Sequence, residues 1–487
     1  MGRAKDNDVI TSWLMEAGYD VLRFYYLPNF VVNLSYFFGY FFLLETFMKL
    51  IKQHSSLIPL MIPVLFLAGC ATQTQMNKPV RHGNVPVKET QTIVRPAPVI
   101  VQPPKKVVKP TPAPKASYSS FADWKSDFAT RAVASGYSSA DVQRLLNSAS
   151  LNQQVISLDS GQPEFSKMPW DYADSAVSDA RVNTGRSKFA EQRTYLSTLE
   201  SRYGVNAEII AAIWGMESAY GAVTGNSYLP SALASLAYDG RRQAFAESQL
   251  LSLITLLQRG DVSWSQLDGS WAGGMGQTQF IPTTWLKEGV DGDNNGHKNP
   301  WSTADALAST ASYLSNAGWV RGLAPFYEVR LPAGFNYNTV GTKQSVAQWA
   351  ALGIDTIADV SLDGNTPMEL WLPAGKDGPA LLLSKNFDAI KVYNNSSSYA
   401  LGVSLLGKAI ARQGGLQQSW PRYERPLSTT QVTNLQQRLT RAGYDTQGAD
   451  GVIGTNTRKA FQRWQADNGQ TPDGFITQRS AASLTAW

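Results

Sequence analysis

The chain holds one cysteine, Cys70, and three histidines, His54, His82 and His297, among 487 residues. A single thiol excludes an intramolecular disulfide. So few imidazoles leave a multi-histidine zinc centre or a Cys–His nucleophile without its parts. Strong charge is also missing, with a formal net charge of +5. That mild excess suits an anionic surface such as cell wall, lipid or nucleic acid, without choosing among them. Hydrophobic residues make up 43%, an ordinary share that permits a sizeable core, and the length fits two to about four domains. The 14 tryptophans and 20 tyrosines suit sugar-binding clefts and ordinary cores alike.

Residues Met48 to Cys70 read MKLIKQHSSLIPLMIPVLFLAGC. A basic start, an apolar run and a small-residue end give the three regions of an export signal. Leu67-Ala68-Gly69-Cys70 resembles the lipobox of bacterial lipoproteins, in which the cysteine is lipidated and begins the mature chain. Ala71 rather than Asp follows it, which in lipoproteins implies delivery to the outer membrane of a Gram-negative cell, facing the periplasm. Residues 1–47 include an aromatic, apolar stretch interrupted by Pro28, Asn29 and Asn33. We read them as an over-extended start ahead of Met48. Residues 71–117 are polar and then rich in Pro, Val and Lys. That composition suits an extended tether, reaching on the order of 100 Å at roughly 3.1 Å per residue.

From 118 to 415 the pattern is mainly helical, with short strands towards the end. Phe121–Ser150 and Ser187–Tyr203 carry apolar residues at helical spacing, and Gly204 is a C-terminal stop. The segment Asn206–Glu217, NAEIIAAIWGME, is a strongly apolar helix with Glu217 at its end. A carboxyl among Ile213, Trp214 and Met216 is either a desolvated proton donor or a glutamate on an exposed edge, and the helix alone leaves both open. Downstream, Gly269–Pro282 reads GSWAGGMGQTQFIP. Glycines so dense let backbone approach a ligand, and Ser270, Gln277 and Gln279 add neutral groups suited to sugar hydroxyls and acetamides. A phosphate loop would need a following Gly-Lys-Ser/Thr, which is missing.

GMESAYG at 215–221, AGGMGQTQFIP at 272–282 and YGVNAEIIAAIWGMES around the helix resemble the membrane-bound lytic transglycosylase B family, glycoside hydrolase family 103. The resemblance spans the whole large region. It implies a lysozyme-like α-helical catalytic domain with a small β-containing subdomain, and Glu217 as the catalytic residue. Ser270 and Gln279 match cleft positions near the cleaved bond. Tyr393, Asn394 and Tyr399 match an aromatic–amide wall, and Tyr172 and Tyr313 two further cleft tyrosines. Arg241 and Arg242 match a basic pair that meets the acidic stem peptide. Ordinary roles compete: Tyr313 as helix core, the arginines as a solvated face.

Most glycosidases need two carboxylates, and only one well-placed acid is found here. The resembled enzymes manage with one. The 6-hydroxyl of muramic acid attacks its own anomeric carbon, giving a 1,6-anhydro end without hydrolysis. No cofactor for catalysis is expected.

Asp291-Gly-Asp-Asn-Asn-Gly-His297 opens like an EF-hand loop, with oxygen ligands at Asp291, Asp293 and Asn295 and a backbone carbonyl from His297. Position 12 is Ser302 rather than glutamate, so the standard pattern fails. The resembled family closes an enlarged loop with a later aspartate, and Asp305 fits that place. A structural Ca²⁺ is the expectation; a plain Asp/Asn/Gly turn is the alternative.

After the linker, residues 428–487 place Val432, Leu435 and Leu439 on one helical face and Ala460, Phe461 and Trp464 on another. The pattern resembles a peptidoglycan-binding module, which implies three helices and no catalytic role. A DNA-binding helix-turn-helix lacks its basic recognition helix here, so no nucleic-acid partner is expected. Expected partners are peptidoglycan strands, the outer membrane through the lipid anchor, and wall-synthesis enzymes. The rival functions are a lysozyme-type hydrolase and a non-catalytic wall-tethering lipoprotein.

Overall fold

The computed structural model describes residues 118–160 and 167–484. The signal, tether and Cys70 expectations lie outside the described residues, as does the 1–47 segment. Among the described residues no helix is long and apolar enough to cross a membrane.

The centre of the fold is the helix Ala207–Ser218. It is apolar on every side, and nine of its twelve residues are buried. Such a helix has no solvent face and must be surrounded. Helices Asp179–Glu191, Arg193–Tyr203, Thr303–Asn316 and Ser397–Ile410 do so, and Leu196, Leu307, Ile390 and Leu406 fill the space between them. Where a single helix ending at Tyr203 was expected, Gln192 interrupts two; Gly204 is the stop, at φ +77°. The Phe121–Ser150 stretch likewise divides at the turn around Gly136, into helices Phe121–Ala134 and Ser139–Ser148. These belong to a second core, formed with Gln153–Ser160, Leu229–Asp239 and Gln243–Arg259. Buried Glu247 ties the second core together, accepting from Trp124 Nε1 at 3.0 Å and pairing with Arg131 at 2.8 Å.

Two short strands, β1 (Ser227–Tyr228) and β2 (Asp268–Gly269), pair antiparallel and lead into the glycine-rich segment. Strands β3 (Phe326–Arg330), β4 (Lys343–Ser345), β5 (Asp355–Thr356), β6 (Pro367–Trp371) and β7 (Ala380–Leu383) form an antiparallel sheet in the order β4-β6-β7-β3-β5. Trp349 packs fully buried with Met368, Leu370 and Val329 of that sheet. A mainly helical domain with a small β subdomain is therefore what the chain forms.

The glycines of 269–276 serve packing within the protein. Gly276 sits at φ +63°, where a Cβ would stand 2.0 Å from the Pro300 carbonyl oxygen. A Cβ at Gly274 would meet Gln279 Oε1 at 2.6 Å and Ser270 Oγ at 2.8 Å. The backbone approach read from sequence is thus towards other backbone and side chains of the same chain.

The C-terminal module has its own small core of Leu435, Leu439, Ala460, Phe461 and Ile476. The expectation of three helices is corrected: among the described residues two form, Thr429–Arg441 and Thr455–Asp467, and turns occupy 478–484. The module is docked. Phe475 is 7% exposed and packs with Met168, Trp170 and Ala374 of the large helical domain. Gln462 Nε2 donates to the Tyr337 carbonyl at 3.2 Å, and Asp473 Oδ2 accepts from the Lys376 amide at 3.0 Å.

Two outcomes are expected. Gly276→Ala lowers unfolding free energy by about 2 kcal/mol or more, since the alanine meets both the left-handed φ cost and a backbone clash; denaturant titration measures it. Phe475→Ala releases the module, read as faster proteolytic cleavage of the 414–426 linker with far-UV circular dichroism unchanged.

Candidate active site

Glu217 lies in the last turn of its helix, half-buried. The helix stops there because Ala219 and Tyr220 both adopt left-handed backbone, at φ +50° and +62°. Two consecutive non-glycine residues in that region are costly and must be held by their surroundings. The Tyr220 ring does the holding: it is 5% exposed, stands edge-on to Trp214 at 5.7 Å, and donates to the Arg181 carbonyl at 3.1 Å. Sequence alone gave Tyr220 no role, although it lies within the quoted GMESAYG.

Across the fold, Tyr399 donates its hydroxyl to Glu217 Oε1 at 2.5 Å. Tyr399 is buried on the first turn of Ser397–Ile410, whose N-cap is the Ser396 side chain. Burial first, and then the charge of Glu217, hold the Tyr399 hydroxyl well above the usual tyrosine range, so it stays a donor. Tyr393 behaves the same way. Burial dominates, Glu217 adds to it, and its hydroxyl shares a 2.7 Å hydrogen bond with Thr310 Oγ1. The Tyr172 ring lies against Gly402 on the same helix as Tyr399.

The glycine-rich segment is fastened to the Glu217 helix by two hydrogen bonds. Trp214 Nε1 donates to Gln277 Oε1 at 2.8 Å, and Ser218 Oγ to the Gln277 carbonyl at 2.5 Å. Gln277 was singled out as a ligand-facing group; its oxygens instead join the loop to the helix. Gln279, at φ +52°, donates to the carbonyls of Thr224 and Gly276 at 2.9 and 2.8 Å. Ser270 Oγ accepts from the Gly274 amide at 2.7 Å. Ser270 and Gln279 therefore meet around Gly274, beside the loop that follows Glu217. Phe280, Tyr313 and Tyr393 form an aromatic trio with ring centres 5.2–5.5 Å apart. Tyr313 is half-buried and packs against the second core. Tyr393 packs against both helical cores, which puts the trio where the two meet. Asn394 occupies the turn between Tyr393 and the Ser396 cap.

Arg241 and Arg242 stand apart from this network. Both pair with Asp159, which is 4% exposed, and Arg242 also lies 4.4 Å over the Phe245 ring. The basic pair is thus already engaged by a buried carboxylate, and not simply a solvated face.

A second cluster joins Asp291, Asp293 and Asp305, whose ligand oxygens all lie within 4.8 Å of one another. Asp291 accepts from the amides of Asn295 and Gly296 at 3.1 and 2.9 Å. Burial works against its charge, but these amides outweigh it and keep the Asp291 carboxyl below the usual range. Asp305 is fully buried at the start of Thr303–Asn316 and accepts from the amides of Gly292 and Asn299. Burial raises its carboxyl above the usual range. Asn295 Oδ1 accepts from the His297 amide at 2.9 Å, so both residues belong to the turn. Tyr195 braces the loop through the carbonyls of Gly292 and Ala304, and burial pushes its hydroxyl up to about 12. Three convergent oxygen donors fit a hard divalent cation.

The Transglycosylase SLT domain family matches residues 120–408, and the peptidoglycan binding domain family matches residues 428–484. The membrane-bound lytic murein transglycosylase B of Escherichia coli is 31% identical over 302 residues, covering 57% of this chain and 79% of that protein. The crystal structure of SltB3 from Pseudomonas aeruginosa with NAG-anhNAM-pentapeptide is similar at a TM-score of 0.72 and 41% identity, over 75% of this chain and 100% of that one. The Escherichia coli transglycosylase Slt35 in complex with calcium matches at 0.52 and 28% identity, over 59% of this chain and 92% of that one. With both matched regions in place behind the geometry of Glu217, the chain belongs to the membrane-bound lytic murein transglycosylase family, with a C-terminal peptidoglycan-binding domain.

Proposed function

We propose that this protein is a lytic transglycosylase that cuts peptidoglycan glycan strands between N-acetylmuramic acid and N-acetylglucosamine, leaving 1,6-anhydromuramic ends, with Glu217 as its one acid/base. The observation that carries the reading is the Tyr399–Glu217 hydrogen bond of 2.5 Å at the end of a buried helix, in a chain similar to a protein crystallised with an anhydro-muropeptide.

The chemistry follows from one carboxyl working twice. Glu217 first gives its proton to the glycosidic oxygen as the bond to the muramic anomeric carbon breaks. The 6-hydroxyl of the same sugar then bonds to that carbon, and Glu217 takes its proton. Net water is neither consumed nor released. Between the two steps Glu217 is anionic, and the Tyr399 hydroxyl donates to that form and steadies it. The tyrosine also fixes which way the carboxyl faces. Ser270, Gln279 and Asn394 orient the N-acetyl group and the sugar ring, while Tyr172, Tyr313 and Tyr393 form the apolar walls. Arg241 and Arg242, paired with Asp159, offer a stem-peptide carboxylate only the remainder of their charge.

The acidic cluster serves as a structural Ca²⁺ site, with Asp291, Asp293, Asn295, the His297 carbonyl and Asp305 as its ligands. It braces the segment leading from the glycine-rich loop to Thr310. Residues 118–415 act as the catalytic domain and 428–487 as the wall-binding module. Lipidated Cys70 and the 71–117 tether would anchor both to the outer membrane, facing the periplasm and within reach of wall-synthesis enzymes.

Glu217→Gln keeps the shape and removes the proton transfer. Release of anhydro-muropeptides from sacculi, followed by chromatography, is expected to fall by about a thousandfold or more while sacculus binding persists; substantial turnover would refute the assignment. Calcium is expected to raise the melting temperature of the native chain, and Asp305→Asn to abolish that rise. An unchanged melting curve in millimolar calcium would exclude the metal role.

A further inference from the structure

A groove of about 520 Å³ opens between the helix Pro169–Ala176, the end of Ser397–Ile410 and linker residues 413–422, and none of the groups placed around Glu217 lines it. Its volume lies in the range of small-ligand sites. The floor is apolar: Ala173 and Val177 line it from one side, Leu405 and Ala409 from the other. The linker forms the facing wall and is pinned to the sheet. Both carboxylate oxygens of Glu328 on β3 accept from linker amides, Gln417 at 2.8 Å and Gln418 at 2.7 Å, and Gln418 Oε1 accepts from the Ala380 amide of β7 at 2.8 Å. Trp420 packs against the central core, with the Trp170 ring 6.2 Å away. Arg422 bridges back to Asp174 through two hydrogen bonds of 2.7 and 2.9 Å. Among the described residues these two carry the only charges in the lining, and they cancel. A charged ligand would have to compete with that two-pronged pair, so the groove selects a neutral one. What the wall offers instead is the exposed side chains of Gln413, Gln417 and Ser419, none of them hydrogen-bonded to another described residue. Two carboxamides and a hydroxyl both donate and accept, and they share the groove with an indole. An aromatic surface edged with neutral donors and acceptors complements an N-acetylated pyranose, which has an apolar ring face and hydroxyl and acetamide groups around its rim.

We propose that this groove binds N-acetylglucosamine units of a glycan strand, the ring face on Trp420 and the hydroxyl and acetamide groups on Gln413, Gln417 and Ser419. The choice of polymer rests on the glycan-cleaving reading above; the ligand chemistry rests on the groove. Pro169–Ala176 and Ser397–Ile410 also carry Tyr172 and Tyr399, so the groove and the Glu217 site share two helices. A saccharide held in the groove gives the enzyme a hold on its polymer outside the cleft, which keeps it on the strand between cuts.

The test uses the full chain carrying Glu217→Gln, so that no sugar is consumed, titrated with the tetramer of N-acetylglucosamine while amide hydrogen exchange is followed by mass spectrometry. Exchange across 413–420 is expected to slow by about threefold or more at saturation. The deacetylated tetramer, which is cationic and lacks the acetamides, is expected to leave that segment unchanged, as is a glycan-free stem tripeptide. Ala409→Trp, which fills the groove, is expected to remove the slowing. If that variant fails to fold, Gln413→Ala with Gln417→Ala decides the matter, with an expected loss of affinity at this segment of about tenfold. No slowing at 413–420, equal slowing by the deacetylated tetramer or by the tripeptide, or slowing that persists undiminished in the folded variants would each overturn the proposal. Failure of the wild type to release anhydro-muropeptides would strike the catalytic reading alone, because the exchange measurement does not depend on turnover.

Discussion

Everything at the proposed catalytic centre depends on how one carboxylate is accommodated at the end of an apolar helix. Ala207–Ser218 has no face for water, so its burial draws four helices around it. Glu217 ends up where those helices stop, at the edge of an apolar environment. A charge there needs a donor, and the chain supplies Tyr399 from 182 residues away. Because Tyr399 is itself buried, its hydroxyl does not ionise in the working range and remains a donor. The setting of Glu217 and the packing of its helix are thus the same arrangement seen from two sides.

The loop opposite Glu217 depends on this helix in turn. Gln277 receives the Trp214 ring N–H, and its carbonyl receives the Ser218 hydroxyl. Both donors flank Glu217 in sequence, so a shift of the helix end shifts the loop. The left-handed residues Ala219 and Tyr220 are the cost of ending the helix so abruptly, and the packing of Tyr220 against Trp214 offsets it. Ser270 and Gln279 are held by the same loop, which sets their distance from the carboxyl through backbone rather than through long flexible side chains.

The module extends this logic beyond the cleft. A wall-binding unit on a free linker would only raise the local concentration of substrate. Here Phe475 and Asp473 hold it against the β subdomain and linker, so the Glu217 site and the module belong to one compact unit.

Much of this was legible in the sequence because it is written locally. An apolar run ending in glutamate, a dense glycine segment and an Asp/Asn/Gly turn carry their chemistry in adjacent residues. So do Gly204 as a stop and the spacing of Val432, Leu435 and Leu439. What the local pattern could not supply was which distant group answers each one. Sequence gave no reason for Gln277 to face Trp214 rather than ligand, for Arg241 and Arg242 to be met by Asp159, or for Thr310 to hold Tyr393. Nor did it indicate that the glycines make room for Pro300 and Gln279. The module's third helix was expected from resemblance alone, and short turns stand in its place. Periodicity and motif are properties of neighbours along the chain; hydrogen-bond partners and the docking of the module are properties of neighbours in space, and only the folded packing brings those together.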